Sequence, residues 1–393
     1  MLRIILFFYF FVTSVGYVFS QTPDTTQVDL VDVFIGRKKF KEANKYRSGR
    51  KVYFSFLPAP VSTPGGGRAL ITSVNAAFFM GDPANTNLSN IYFIPYTDFA
   101  SRFGFYMRPN LWLANNSWNL IGDYRIAHYP QYTWGLGGDT PEFARTLIDT
   151  DFIRVYQNAL KKINHNWFAG MGYALDYHYN IEESEIEAGS EGHLDSYVTD
   201  HSDPAVSSGV TFNLAFDSRQ NAINPPRGSY FIATWRVNST SLGSDQSYQT
   251  LFIDGRKYLP FTKARSILAL RGYYWTLLTG DAPYLHLPAT NWAPATGIAS
   301  RGFQGGRYRS NAMLYGEAEH RYQLTKNGLL GLVTFMNVAS ASEFETQHFN
   351  AWKVGAGVGI RGKLNKYSNA NVAIDLGFSE NYWSVWVNIG EMF

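Results

Sequence analysis

The sequence predicts an all-β protein, a transmembrane antiparallel β-barrel of sixteen strands. Three observations carry this expectation. Apolar and polar residues alternate with period two through most of the chain. Aromatic residues make up 17% of it, with 29 Phe, 26 Tyr and 10 Trp. Tyr and Trp favour a membrane boundary, where one ring is half apolar and half wet, so this excess fits the aromatic girdles of a barrel. The N-terminus, finally, has the form of an export signal.

That first element runs over residues 1–20. It has one basic residue, Arg3, an apolar core from Ile4 to Val12, and Val18 and Ser20 placed for cleavage before Gln21. This is the pattern of a secretory signal peptide. Its core is too short for a membrane helix of roughly 20 residues, and no later stretch reaches ~18 consecutive apolar residues. No transmembrane helix is expected. Residues 21–50 read as a leader on the periplasmic side. Within it Leu30, Val33 and Phe34, followed by the basic run from Arg37 to Lys41, fit a short amphipathic helix at the inner leaflet or a plug. A flexible leader fits equally.

The barrel is expected over 51–393. Candidate strands follow near 51–58, 69–80, 90–99, 102–114, 117–129 and 144–160, then 167–181, 208–219, 228–238, 247–259 and 265–278, and finally 310–323, 328–338, 353–363, 369–379 and 383–393. The count is even, as such barrels require. Segments 90–99 and 144–160 alternate least cleanly, and fourteen strands is the alternative without them.

The alternation is clearest near the end. Val354, Ala356, Val358 and Ile360 alternate with Gly355, Gly357, Gly359 and Arg361, and Ala370, Val372, Ile374, Leu376 and Phe378 with Asn371, Ala373, Asp375, Gly377 and Ser379. A soluble sandwich shows the same period, with its apolar face turned inward instead of toward lipid. The signal peptide, the aromatic excess, the absence of cysteine and the chain end together favour the membrane barrel. Trp383, Val385, Val387, Ile389 and Phe393 share one face of a last strand, and Phe393 is read as a C-terminal barrel signal. Glu391 interrupts that face near where it leaves the hydrocarbon. Unpaired backbone groups in hydrocarbon cost several kcal/mol each, so the first and last strands are expected to meet. Long connections at 182–207 and 279–309 alternate with short ones such as 364–368, which places both chain ends on the periplasmic side.

Other functions find little support. With no cysteine and a net charge of +3 spread among both signs, the chain offers no disulfide framework, no thiolate metal site and no basic face for nucleic acid. His193, Asp195, Asp200, His201 and Asp203 crowd one loop, but their spacing matches no metal site, and a solvated loop is the better reading. The glycines at 355, 357 and 359 alternate within a strand, so they read as small lumen-facing residues and not as a phosphate loop. No nucleophile elbow, zinc-binding His pair or phosphate-binding lysine motif occurs, so neither an enzyme nor a cofactor is expected.

Two segments are more specific. Arg301-Gly302-Phe303 lies in a Gly-rich connection between the eleventh and twelfth candidates. It precedes a strand with Met313, Tyr315, Glu317, Glu319 and Arg321 on one face and Ala312, Leu314, Gly316 and Ala318 on the other. The run from Phe216 to Tyr230 holds Asp217 and Arg219 at a strand end, a turn fixed by Pro225 and Pro226, and Gly228 where a β-carbon would clash. Both segments resemble the BamA/TamA-like bacterial surface-antigen (D15-type) outer-membrane barrel superfamily.

The resemblance implies a lid loop folded into the lumen, its Arg301-Gly302-Phe303 tip meeting Glu317 and Glu319. Asn337 stands where many relatives carry an aspartate, so the lid is expected to rest on the two glutamates. Asp217, Arg219, Pro225, Pro226 and Gly228 are given a structural role. The implied setting is the bacterial outer membrane, and the implied activity is insertion, assembly or export of other outer-membrane proteins through a seam between the first and last strands. The chain reads as a barrel-only member without periplasmic POTRA domains, so outer-membrane or periplasmic partner proteins are implied. A non-catalytic scaffold subunit and a passive pore are the alternatives.

Overall fold

The structure is a computed structural model describing residues 27–35, 51–62, 68–99, 102–128, 130–185, 192–197, 203–261, 265–294 and 300–393. The predicted signal peptide and most of the leader lie outside these residues.

Five strands open the barrel: β1 Val52–Ser62, β2 Arg68–Phe78, β3 Ser89–Thr97, β4 Phe103–Trp112 and β5 Trp118–His128. A three-residue β6, Gln131–Thr133, precedes β7 Thr146–Asn164, β8 Trp167–Glu185, β9 Ala205–Asp217, β10 Gly228–Asn238, β11 Tyr248–Phe261 and β12 Ser266–Thr279. The wall ends with β13 Ala312–Gln323, β14 Leu330–Ala341, β15 Lys353–Asn365, β16 Ala370–Phe378 and β17 Trp383–Ile389. Each wall strand pairs antiparallel with the next, β5 pairs directly with β7, and β6 only extends the edge of β7. Sixteen strands therefore make the wall, and all sixteen coincide with the segments read from the sequence.

Period two sets which side chains meet lipid. On β15, Val354, Val358 and Ile360 are 51%, 49% and 57% exposed, while the adjacent Arg361 is buried in the lumen. A charge on the lipid face near mid-bilayer costs about 2–4 kcal/mol. Val358→Arg is accordingly expected to lower barrel stability by about that amount, read from the urea midpoint of the barrel folded in lipid vesicles. An unchanged midpoint would place this face in water.

Much of the lumen is occupied by side chains. Trp112, Phe168, Phe252, Tyr273, Phe303, Met313 and Tyr315 belong to one buried cluster drawn from opposite walls and from residues 300–311 of the connection after β12, which fold inward. Helix α1, Leu30–Ile35, packs against β15 and the 364–368 turn. Asp29 and Asp32 bond reciprocally to each other's backbone at 3.1 and 3.0 Å, and Asp32 Oδ2 holds Lys366 Nζ at 2.8 Å. Both carboxylates thus serve the helix start, where unpaired N–H groups favour negative charge.

Two expectations are corrected. First, β1 and β17 lie side by side, but among the described residues no ladder joins them. Side chains close the seam instead. Ala77, Leu88, Ile223, Ala370 and Ile389 form an apolar cluster against which Tyr53 and Leu57 of β1 pack. Tyr53 also stacks on Tyr367 at 5.5 Å, and Asn365 Nδ2 donates to the Phe54 carbonyl at 3.3 Å.

Second, the last strand does not run to the terminus. It stops at Ile389, and Gly390 adopts a left-handed φ of 89° that a β-carbon would disfavour. The chain then turns into the lumen. Phe393 is buried against Tyr258 with ring centroids 6.3 Å apart, and its backbone oxygen accepts from Arg321 Nη2 at 2.9 Å. Glu391 does not mark the edge of the hydrocarbon, since it accepts from Arg361 Nε at 2.7 Å inside the barrel. The cause is chemical: the Glu391 carboxylate finds cations in the lumen and none in lipid.

Candidate functional site

The wall strands β13, β15 and β16 turn Glu317, Glu319, Arg361 and Asp375 inward because each falls on the polar face of its alternation. Into this patch the 280–311 loop inserts Arg301, which is fully buried. Its Nη2 donates to both Glu317 and Glu319, and its Nη1 donates to Asp375 Oδ2 at 2.7 Å. Its guanidinium carbon lies 3.7 Å from the centroid of the Phe335 ring, a cation–π contact in a dry site. One planar fork thereby ties the loop to two wall strands. Lysine, a point charge, has no equivalent geometry.

The network spreads outward. Glu319 also accepts from Arg321 Nε at 2.5 Å, and Asp375 accepts from Arg361 Nη1 at 2.5 Å. Arg361 reaches on to Glu391, and Arg321 to the Phe393 carbonyl. The three arginines and four acids therefore link the loop tip, the wall and the chain end in one buried set. A buried charge network is stable only if nearly every member is satisfied.

Asn337 contributes differently from the expectation. Its Nδ2 donates to the Arg301 carbonyl at 2.9 Å, so it holds the backbone of the tip and not its charge. Gly302 has φ 88°, and a β-carbon there would lie 2.8 Å from the Phe378 carbonyl oxygen on β16. Glycine is needed for both reasons. Phe303 is buried edge-on against Tyr308 at 6.1 Å, and its carbonyl accepts from Asn291 Nδ2 at 2.9 Å. Gly357 and Gly359 leave room for the Phe335 ring and the Asp375 carboxylate, which a β-carbon at either position would meet at only 2.4 and 1.7 Å.

Sequence reasoning missed the third acid, Asp375, and a second set of anchors. Arg309, also fully buried, donates to the Tyr284 carbonyl at 2.9 Å and to Gln131 Oε1 at 3.2 Å. Arg307 Nη1 donates to Thr140 Oγ1 at 2.6 Å. Nearer its start the loop is held by His286, whose Nδ1 meets Ser207 Oγ at 2.5 Å and whose Nε2 meets His178 Nδ1 at 2.8 Å. The Gly-rich composition of 300–309 was the only signal for this packing.

The turn segment is assembled as a unit. Arg219 forks onto Asp217 through Nε at 2.9 Å and Nη2 at 2.7 Å. Pro225 and Pro226 carry the turn to Gly228, whose φ is 107° and where a β-carbon would lie 2.9 Å from the Ser218 carbonyl oxygen. The turn crosses the barrel end: Asn221 Nδ2 donates to the Ser368 carbonyl at 2.9 Å, and Glu391 N to the Ile223 carbonyl at 2.9 Å. The crowded loop residues are not brought together as a metal site among the described residues. His193 Nε2 contacts the Ala144 carbonyl, and Asp200 and His201 lie outside the described residues.

A sixteen-strand membrane wall, a lumen stoppered by its own loop and an unladdered seam define the class: a plugged transmembrane β-barrel. Residues 102–367 match the Omp85 superfamily domain, and the chain belongs to that superfamily. Among solved structures it is similar to BamA from Haemophilus ducreyi lacking POTRA domains 1–3, with a TM-score of 0.52 and 11% identity over 86% of this chain and 70% of that one. CdiB from Acinetobacter baumannii and CdiB from Escherichia coli each give a TM-score of 0.54 and 11% identity over 86% of this chain, and 60% and 62% of theirs. At this identity the likeness is one of fold. The chain spans about three fifths of the length of the two CdiB chains. No curated protein matches the sequence.

Proposed function

We propose that this chain is a bacterial outer-membrane barrel that inserts, assembles or exports other outer-membrane proteins, together with partner proteins. The observation that carries this reading is the seam. The β1 edge has a row of backbone groups with no strand partner on β17 among the described residues. Such an edge is a template for an incoming strand, and pairing within a membrane replaces costly unsatisfied groups with hydrogen bonds. Membership of the Omp85 superfamily supports the same reading.

In this mechanism Arg301, Gly302 and Phe303 form a lid tip. Glu317, Glu319 and Asn337 receive it, and the contact braces β13 to β16 while the neighbouring seam opens. Asp217, Arg219, Pro225, Pro226 and Gly228 keep the turn that crosses the barrel end in place, and Phe393 anchors the chain end. No bond in a substrate is made or broken by these residues. They hold geometry while strands exchange.

Depletion of the protein in cells tests the proposal. Levels of several unrelated outer-membrane barrels are expected to fall while their transcripts stay constant. Unchanged levels would sink it, and stable copurification with one fixed set of partners would then favour the scaffold role.

A further inference from the structure

Between β4, the 218–227 turn, β11 and the inturned chain end lies a lumen cavity of about 160 Å³. Its lining is rich in donors. Arg108, Arg219, Arg256, Tyr92 and Asn388 face it from separate elements, and Glu391 is its only acidic side chain among the described residues. That acid is already engaged by Arg361 Nε at 2.7 Å and Asn371 Nδ2 at 2.6 Å. Arg219 is likewise forked on Asp217 through Nε and Nη2, leaving its Nη1 donors beyond that pair.

Arg108 is different. It lies on the lumen face of β4, opposite Tyr92 of β3. Its Nε is buried without a hydrogen-bond partner although the side chain as a whole is only half-buried, and the nearby Asp123 carboxylate is already forked by Arg125 at 2.8 and 2.5 Å. A buried guanidinium nitrogen left without an acceptor is unfavourable, and proteins keep such groups where a ligand or ordered water completes them. The void is large enough for either.

We propose that this cavity is a binding site for a phosphate-type oxyanion, with Arg108 as its principal ligand and Arg219 as its second. Arg108 and Arg219 approach from separate elements, an arrangement suited to a tetrahedral anion with acceptors in several directions, while Arg256 adds positive charge although its Nε and Nη2 are forked on Asp254 at 2.9 Å. A planar carboxylate would use one side of the cavity only. The anion would complete the lumen beside the chain end, since Met392 and Phe393 form part of the same lining. Its source is either free phosphate or a lipid headgroup entering from the short-turn end.

The test uses the full barrel folded in maltoside micelles, titrated with inorganic phosphate against chloride at constant ionic strength. Calorimetry should show saturable binding at one site with a raised Tm, and Arg108→Gln should weaken it at least tenfold. In parallel, the barrel is placed in vesicles of phosphatidylglycerol or of a phosphate-free glycolipid. A stability gain in phosphatidylglycerol alone, lost in Arg108→Gln, identifies a headgroup as the source and supports the site. Without phosphate, Arg108→Gln should be as stable as the parent or more so, because it removes a cation whose buried Nε has no acceptor. A less stable variant under those conditions would assign Arg108 a purely structural role and overturn the proposal. So would the absence of any saturable, Arg108-dependent effect of phosphate in both arms.

Discussion

Arg301→Ala is expected to release the loop and turn a small, unstable conductance in planar bilayers into a larger, sustained one. The cause is electrostatic before it is steric. Removing this guanidinium leaves buried Glu317 with the Tyr315 hydroxyl and no cation, and leaves Arg321 and Arg361 as the only cations paired with buried Glu319, Asp375 and Glu391. Breaking a buried ion pair by deleting one partner costs about 3–5 kcal/mol, because the survivors stay desolvated. The loop can relieve that cost by leaving the lumen, so water can enter where Arg301 and Phe303 had packed. Arg301→Lys restores the charge but not the fork, and its conductance should fall between the two. A variant with parental conductance and parental denaturant midpoint would mean that Arg309, Arg307 and His286 hold the loop without its tip.

The wall was legible because lipid enforces period two. Where the strands leave the bilayer that enforcement ends, and there the period no longer marks where a strand stops. β8 runs to Glu185, beyond the expected 181, where it pairs with Thr146 at the start of β7, and β7 runs to Asn164, beyond the expected 160, where it pairs with Trp167 at the other end of the hairpin; neither extension is marked by apolar alternation. β6, with three residues, is too short to show any period. At the chain end a single residue decides the path. Apolar Phe393 continues the alternation on paper, while the left-handed backbone of Gly390 takes it and Met392 into the lumen.

The loop site was half legible. Glu317 and Glu319 lie on one face of a strand that follows the Arg-Gly-Phe tip, and their meeting with Arg301 needs only short-range placement. Asp375 is 74 residues away from Arg301 in sequence. Alternation put it on the lumen face, but nothing local says which lumen group it meets. Asn337 was read for its missing charge, whereas its amide holds a carbonyl. The seam is the least legible feature, because backbone pairing at an edge leaves no residue signature.

That seam is also where the proposed function is most exposed to test. The chain has no cysteine, so one cysteine on β1 and one on β17 would be its only thiols. Leu57 and Ile389 are the positions chosen, since Ile389 belongs to the apolar cluster that closes the seam and Leu57 packs against it. A short reducible bridge between them would hold the edge shut without touching the loop. In cells depleted of the parent protein, the bridged variant is predicted to leave unrelated outer-membrane barrels at depleted levels, and reduction of the bridge to restore them, as each single-cysteine variant should. Full restoration by the bridged protein would contradict the claim that this barrel works through an opening between β1 and β17.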